Sequence, residues 1–396
     1  MGFVAIVHGA PTFMLAWSSL AVQPPLTKPD TIKATVTAVI AEESPRAPFF
    51  FGRITGLAID KAGRVYVSDG GELHVAVFSG DGKPLTTIGR KGRGPGEFEY
   101  PTGPVIGPDD ALYVRNSSEI ARFVVDPKTG IASQFDRAIA GPAFAPWMSM
   151  LPTTIDRSRR IHFPMEWGSR GDRLQHNAFI RYALDGRKLD SLPVPMQPTA
   201  RSMSASLRIS AGTGRMINGL NAVPFHPMPV FTVSATGTMI TSPSDSYLLK
   251  ETDVSGRVLR TLTLPIAPTV IPAAERRDSA RALARRIDSI AMPLERLEGV
   301  SEEVKAQRLP TTYPVFRSLS TAADGTIWAR RWTALRTVST FDVISEEGRV
   351  LRTVLVPADC ATMPAPVIRD GVLACMQRAR DTDAESVVIA NLAPRR

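Results

Sequence analysis

The sequence predicts an all-β chain, and two observations carry the prediction. Short runs rich in Val, Ile, Tyr and Phe recur along its length, each bounded by Gly, Asp or Pro. A turn of the Asp-x-x-Gly kind recurs with them, and a second Gly turn follows all but the last after roughly twenty residues. The first turn stands at Asp60-Lys61-Ala62-Gly63, Gly107-Pro108-Asp109-Asp110, Asp156-Arg157-Ser158-Arg159, Ala235-Thr236-Gly237, Asp324-Gly325 and Asp370-Gly371. The second stands at Gly80-Asp81-Gly82, Asp126 to Gly130, Asp185-Gly186, Ser255-Gly256 and Glu347-Gly348. Six of one and five of the other predict a six-bladed β-propeller of four-stranded blades, the last blade finished from elsewhere.

Each element follows in order. Met1 to Gln23 is apolar and uncharged, with small residues near Ser18, Ser19 and Ala21, and resembles the hydrophobic part of a secretion signal without its basic start. Ile32 to Ile40 alternates as a strand and is the candidate that completes blade six and closes the ring, removing an open edge. Blade one reads Ile54 to Ile59, Arg64 to Asp69, Leu73 to Phe78 and Pro84 to Ile88. Blades two to six repeat the pattern around Leu112, Ile161, Ile240, Trp328 and Leu373. Two stretches break the period. Residues 193–225 are rich in Ser, Gly, Pro and Met and read as a long surface loop. Residues 272–307, between blades four and five, read as a helical insert with Ala280, Leu283, Ala284 and Ile287 on one face. Residues 31–396 are expected to form one propeller domain.

Composition narrows the class. The net charge is +9, but only 9 of the 47 basic residues are Lys and no run of five basic residues occurs, so nucleic acid is not the expected partner. Pro11 and His8 argue against a transmembrane reading of the first segment. The only two cysteines, Cys360 and Cys375, flank one blade's inner strand. They fit either a disulfide closing a short loop or two buried thiols. An extracytoplasmic monomer, periplasmic or secreted, is the expectation, with the cytoplasm as second choice.

Gly89 to Pro101, with Val65-Tyr66-Val67-Ser68-Asp69 and Val77-Phe78-Ser79-Gly80, resembles the NHL-type repeat: a Tyr-Val-x-Asp strand, a Phe-containing turn and a Gly-rich link into the next blade. The resemblance covers blades one and two most clearly. It implies a propeller fold whose functions range from lyases to binding scaffolds. The Gly-rich link is not a phosphate loop, since no Lys-Ser/Thr follows and no helix opens after it. Asp69 stands where the repeat braces a turn.

Ligands of propellers meet the loops that lead into the inner strands. Those positions read Phe51, Tyr100, Trp147, His226, Tyr313 and Met363, a mostly aromatic ring suited to a sugar or another flat amphipathic ligand. Just past the second strands lie Arg115, Asn116, Glu166, Arg330 and Arg331, where arginines can hold a carboxylate or phosphate. The expected function is a non-enzymatic module that binds a carbohydrate, another small molecule or a protein through this face, without cofactor. Replacing Arg330 and Arg331 by Ala is expected to change stability by no more than about 1 kcal/mol, as at ordinary surface sites. The alternative is a hydrolase or lyase on a sugar lactone or polysaccharide, with Ca or Zn held by Glu166, Asn116 and His226. The five histidines share no repeat position, and no Gly-x-Ser-x-Gly or HExxH motif is present.

Overall fold

The computed structural model describes residues 30–392 apart from 47, 118, 142–152, 168–175, 195–203, 211–215, 223, 226, 228, 264, 265, 267, 292–308, 334–336 and 380. Trp147, His226 and the signal-like segment lie outside the described residues. Six antiparallel meanders form the ring. Blade one comprises Ile54–Ile59, Val65–Asp69, His74–Phe78 and Pro84–Ile88. Blade two comprises Pro101–Ile106, Leu112–Asn116, Glu119–Val125 and Ala132–Ala140. Blade three holds Thr154–Ile155, Arg160–Trp167, His176–Ala183 and Lys188–Pro193. Blade four holds Val230–Val233, Met239–Ser242, Leu248–Thr252 and Val258–Thr263. Blade five holds Phe316–Thr321, Ile327–Arg331, Ser339–Ile344 and Val350–Val356. Blade six has three strands of its own, Val367–Arg369, Val372–Arg378 and Glu385–Asn391.

The fourth strand of blade six comes from the N-terminal side. Thr35–Ile40 pairs antiparallel with Glu385–Asn391, Val36 opposite Ala390 and Ile40 opposite Val387. The closing segment does more than the sequence suggests, because Thr31–Lys33 pairs parallel with the outer strand of blade five. Ala34, which sits between the two pairings, is buried against Leu373 and Val388. One stretch of chain therefore spans two neighbouring blades.

The turns sit where the glycine punctuation put them. Gly63, Gly82, Gly130, Gly186, Gly237, Gly256, Gly325, Gly348 and Gly371 all have positive φ, which a residue without Cβ adopts at little cost. Blades two and three use Asp110 (φ 60°) and Arg159 (φ 61°) at the same place. Core packing lies between blades: Tyr66, Val75 and Val77 of blade one meet Leu112, Val114 and Phe123 of blade two.

Two inserts depart from the meander. Between blades three and four, where the sequence reads as a loop, Ser204–Ser210 and Met216–Ala222 pair as a two-stranded antiparallel sheet. Between blades four and five, Ala273–Ala291 is helical. Among the described residues, no helix is long and apolar enough to cross a membrane.

Candidate functional site at the loop-bearing mouth

The inner strands of all six blades line one axial cavity of about 260 Å3. Small residues make its wall, among them Thr55, Gly56, Gly103, Ala322 and Pro364. At Gly56 the wall is so tight that a Cβ would lie 2.3 Å from Pro104 Cδ. Thr153, Thr154 and Ser320 also line the cavity, and their hydroxyl oxygens are sealed within the wall without a hydrogen-bond partner among the described residues. Buried polar groups ordinarily have partners, and ordered water is the usual one for such hydroxyls.

Residues leading into the inner strands and residues ending the second strands share one end of the ring. The Asp69 carboxylate accepts the N–H groups of Gly52 and Arg53, both at 2.8 Å, and of Gly71 and Glu72. Asn116 does the same in blade two, its Oδ1 accepting from Glu99 and Tyr100 at 2.9 and 3.1 Å. Both side chains are buried and hold the loop-bearing mouth together.

The other expected contact residues separate by environment. Tyr100 is half-buried at the mouth, against Gly70. Phe51 turns inward and packs with Phe49 and Phe78. Tyr313 is buried too: its hydroxyl donates to Glu275 in the first helical turn, and its ring stacks on Trp332 at 6.0 Å. Burial, then Glu275, pushes the Tyr313 phenol up to about 12. Met363 is exposed. Glu166 falls on the second strand of blade three, opposite Asn177, but its side chain lies outside the described set.

The arginines divide in the same way. Arg115 is fully buried, donating to Thr102 Oγ1 at 2.8 Å with its guanidinium 5.2 Å from the Phe163 ring centre. Arg331 ends the second strand of blade five, and its side chain is partly exposed. Its Nε donates to Asp342 at 2.6 Å, and the same buried carboxylate accepts from Tyr247 and Thr353. Neighbouring side chains on a strand point to opposite faces, so Arg331 braces blade four while Arg330 faces blade six. Removing Arg331 would leave the buried Asp342 carboxylate without its ion-pair partner, so a cost above that of an ordinary surface site is expected. Arg330 donates to Asp359 at 2.9 Å, and burial, then Arg317, lowers its pKa to about 10.

At the opposite end lies a brace not anticipated from the sequence. Asp60 accepts Arg64 Nε at 2.6 Å and the Tyr66 hydroxyl at 3.1 Å. In blade three Asp156 accepts Arg160 Nε at 2.7 Å and bonds His162 Nε2 at 2.8 Å. The shared spacing Asp-x-x-x-Arg-x-Tyr/His was readable, and it identifies the buried Asp156–His162 pair as a turn brace in place of a catalytic dyad. Burial lowers the pKa of His162, against Asp156, which raises it.

For the metal alternative, Asn116 offers an amide oxygen already occupied by two backbone N–H groups. Among the described residues, no group of three His, Cys, Asp or Glu is clustered to hold a metal. The sulfurs of Cys360 and Cys375 are bonded, with the Cα atoms 5.4 Å apart, and the Cys360 N–H donates to Ser339 Oγ at 3.0 Å.

No curated protein matches the sequence. Among solved structures the chain is similar to virginiamycin B lyase from Staphylococcus aureus, at 11% identity over 88% of this chain and 87% of that one, TM-score 0.36. It is similar to the calcium-binding protein regucalcin from Agrobacterium tumefaciens, at 10% identity over 93% and 98%, TM-score 0.41. A putative exported protein from Bacteroides fragilis gives 8% identity over 92% and 99%, TM-score 0.42. Residues 47–124 match a family described as "6-bladed beta-propeller", the architecture that the six meanders build.

Proposed function

We propose that the protein is an extracytoplasmic binding module that takes a small polar ligand, a carbohydrate in class, in its axial channel. One observation carries the reading: an axial cavity of about 260 Å3 lined by the inner strands of every blade, with Thr55, Thr153, Thr154 and Ser320 among its wall residues. Sugar hydroxyls both donate and accept, so they suit such a wall. Tyr100 offers a ring at the rim, and Trp147 and His226 are assigned to the same rim from the sequence. Arg115 and Arg330 supply buried positive charge behind it. The bonded pair Cys360–Cys375 supports an oxidising compartment.

The test is a thermal-shift series on the purified chain with neutral and acidic mono- and disaccharides. A sugar that raises Tm, and ceases to do so in Thr154→Val and Ser320→Ala, supports the reading. A panel without effect, or a shift indifferent to both substitutions, removes it. Metal analysis of the same protein tests the hydrolase or lyase alternative.

A further inference from the structure

The axial cavity does not end with the inner strands. Its wall continues into the first turns of the blades, through Pro108, Arg157, Ala235 and Ala323, so it reaches the turn-bearing end of the ring. Among the described residues, three charged ones line it: Asp156, Arg157 and Arg369. All three stand at that end. Two of them are fully engaged. Asp156 accepts the Arg160 N–H at 3.0 Å and Arg160 Nε at 2.7 Å, besides bonding His162. Arg157 donates its own N–H to the Ala235 carbonyl of blade four and reaches on to blade five. There Nη1 lies 2.6 Å from Glu346 and Nη2 donates to the Asp324 carbonyl at 2.9 Å.

Arg369 is held far more loosely. Its side chain leaves blade six, and Nη1 donates to the Ile59 carbonyl of blade one at 3.5 Å, a long contact for a guanidinium. The nearest carboxylate oxygens are Asp370 Oδ2, 3.5 Å from Nε, and Asp110 Oδ1, 3.9 Å from Nη2. Asp370 is 68% exposed, and Asp110 is already held by Lys61 at 2.7 Å through its other oxygen. Nε is sealed without a partner, whereas Nη2, which donates to nothing among the described residues, is not sealed. The whole Arg369 side chain is only 13% exposed. A guanidinium carries five N–H donors and keeps its charge, so holding one this loosely away from bulk water is costly. Arg331, by contrast, lies 2.6 Å from Asp342.

We infer that Arg369 is the anion seat of the axial channel and that the ligand is a sugar acid, its carboxylate on Arg369 and its ring along the small-residue wall. The inference rests on the reading of the channel as a carbohydrate site and names the ligand class within it. A planar guanidinium suits a carboxylate because it can present two parallel N–H groups to the two oxygens. The weak hold of Ile59 on Nη1 leaves Nη1 and Nη2 for that pair. Asp110 stands too far off to pair with Arg369 and near enough to oppose a second carboxylate.

Isothermal titration of the full chain with D-glucuronate and D-glucose tests this, since the two differ only at C6. Glucuronate is expected to bind about tenfold more tightly, the yield of hydrogen bonds to a charged group. Arg369→Gln should bring glucuronate down to the affinity of glucose and leave glucose unchanged, which a merely structural arginine would not do. Arg369→Lys keeps the charge and loses the paired N–H groups, so about threefold of the preference should remain. Asp110→Asn should tighten glucuronate about threefold, the Coulomb effect of a carboxylate roughly 6 Å away in a water-like dielectric. Glucose should not respond to it. Asn also adopts the left-handed backbone found at that position (φ 60°), so the turn survives the exchange. Glucuronate binding no better than glucose, or Arg369→Gln weakening both sugars alike, overturns the inference. Should circular dichroism show Arg369→Gln unfolded, the wild-type preference and the Asp110→Asn gain are both required, and the lack of either overturns it. Glucose binding as tightly as glucuronate leaves the channel reading standing without its anion seat. Silence from both sugars removes both readings.

Discussion

Replacing Ile40 by Ala tests how much the ring depends on its closing strand. Ile40 is 0% exposed and packs with Ile54, Leu57, Val387 and Ile389, where blade six meets blade one. Buried Ile→Ala changes cost about 2–5 kcal/mol, combining lost transfer energy with the cavity left behind. The strand is held by backbone pairing to Val387 and cannot slide inward to fill the gap, so a loss of about 3.5 kcal/mol is expected. For a ring of roughly 350 residues, a melting entropy near 2.1 cal/mol/K per residue turns that loss into a fall of about 5 °C in Tm. Val39, on the outward face of the same strand, is 37% exposed. Val39→Ala should stay within about 1 kcal/mol of wild type. Calorimetry and far-UV circular dichroism should show the Ile40→Ala transition moving as one step. An unchanged Tm, or a separate early transition for blade six alone, would refute the view that closure is shared by the whole ring.

Three further outcomes follow from the same structure. Arg331→Ala should destabilise by roughly 3 kcal/mol in urea unfolding, because Asp342 is left charged and buried, and adding Asp342→Asn should recover most of that loss. His162 has a folded pKa below its unfolded value, so the unfolded chain takes up the proton first as pH falls. Stability should therefore be full above about pH 6.5 and decline as pH falls toward 5. His162→Gln, measured by Tm against pH, should flatten that decline, and an unchanged slope would assign it to the carboxylates, Asp156 included. Reducing the Cys360–Cys375 bond should cost about 3 kcal/mol in the chain-entropy model, and thiol titration of the denatured, unreduced protein should find no free thiol.

Much of the ring was legible because its punctuation is chemical. The turns need left-handed residues, and glycine advertises them; Asp110 and Arg159 stayed visible only through the surrounding period. The closing strand was legible from the alternation Ile32 to Ile40, but its parallel pairing with blade five was not, since three residues carry no register signal. The strand Ser204–Ser210 was missed although Ala205, Leu207 and Ile209 alternate with Ser and Arg, because small residues hide a period of two. At the mouth, the positions came through and the orientations did not. Phe51 and Tyr313 occupy the expected loops, yet their rings are drawn into packing by Phe78 and Trp332. Arg330 and Arg331 are one residue apart and face different blades, a distinction set by pleat and by partners distant in sequence.

The segment Thr31–Ile40 joins strands separated from it by more than 300 residues, on blades five and six. A chain made from its N-terminus therefore produces this strand before any of its partners exists. Contacts so distant in sequence form slowly, since a long loop must close before they can contribute. Until the final turn at Gly371 and the strand after it are complete, Ala38 and Ile40 have only the blade-one half of their packing, and Val36 lacks its neighbours in blade six. The first strand synthesised is thus the last to be satisfied. It is where a helper protein, or an unwanted neighbour, has the longest time to act.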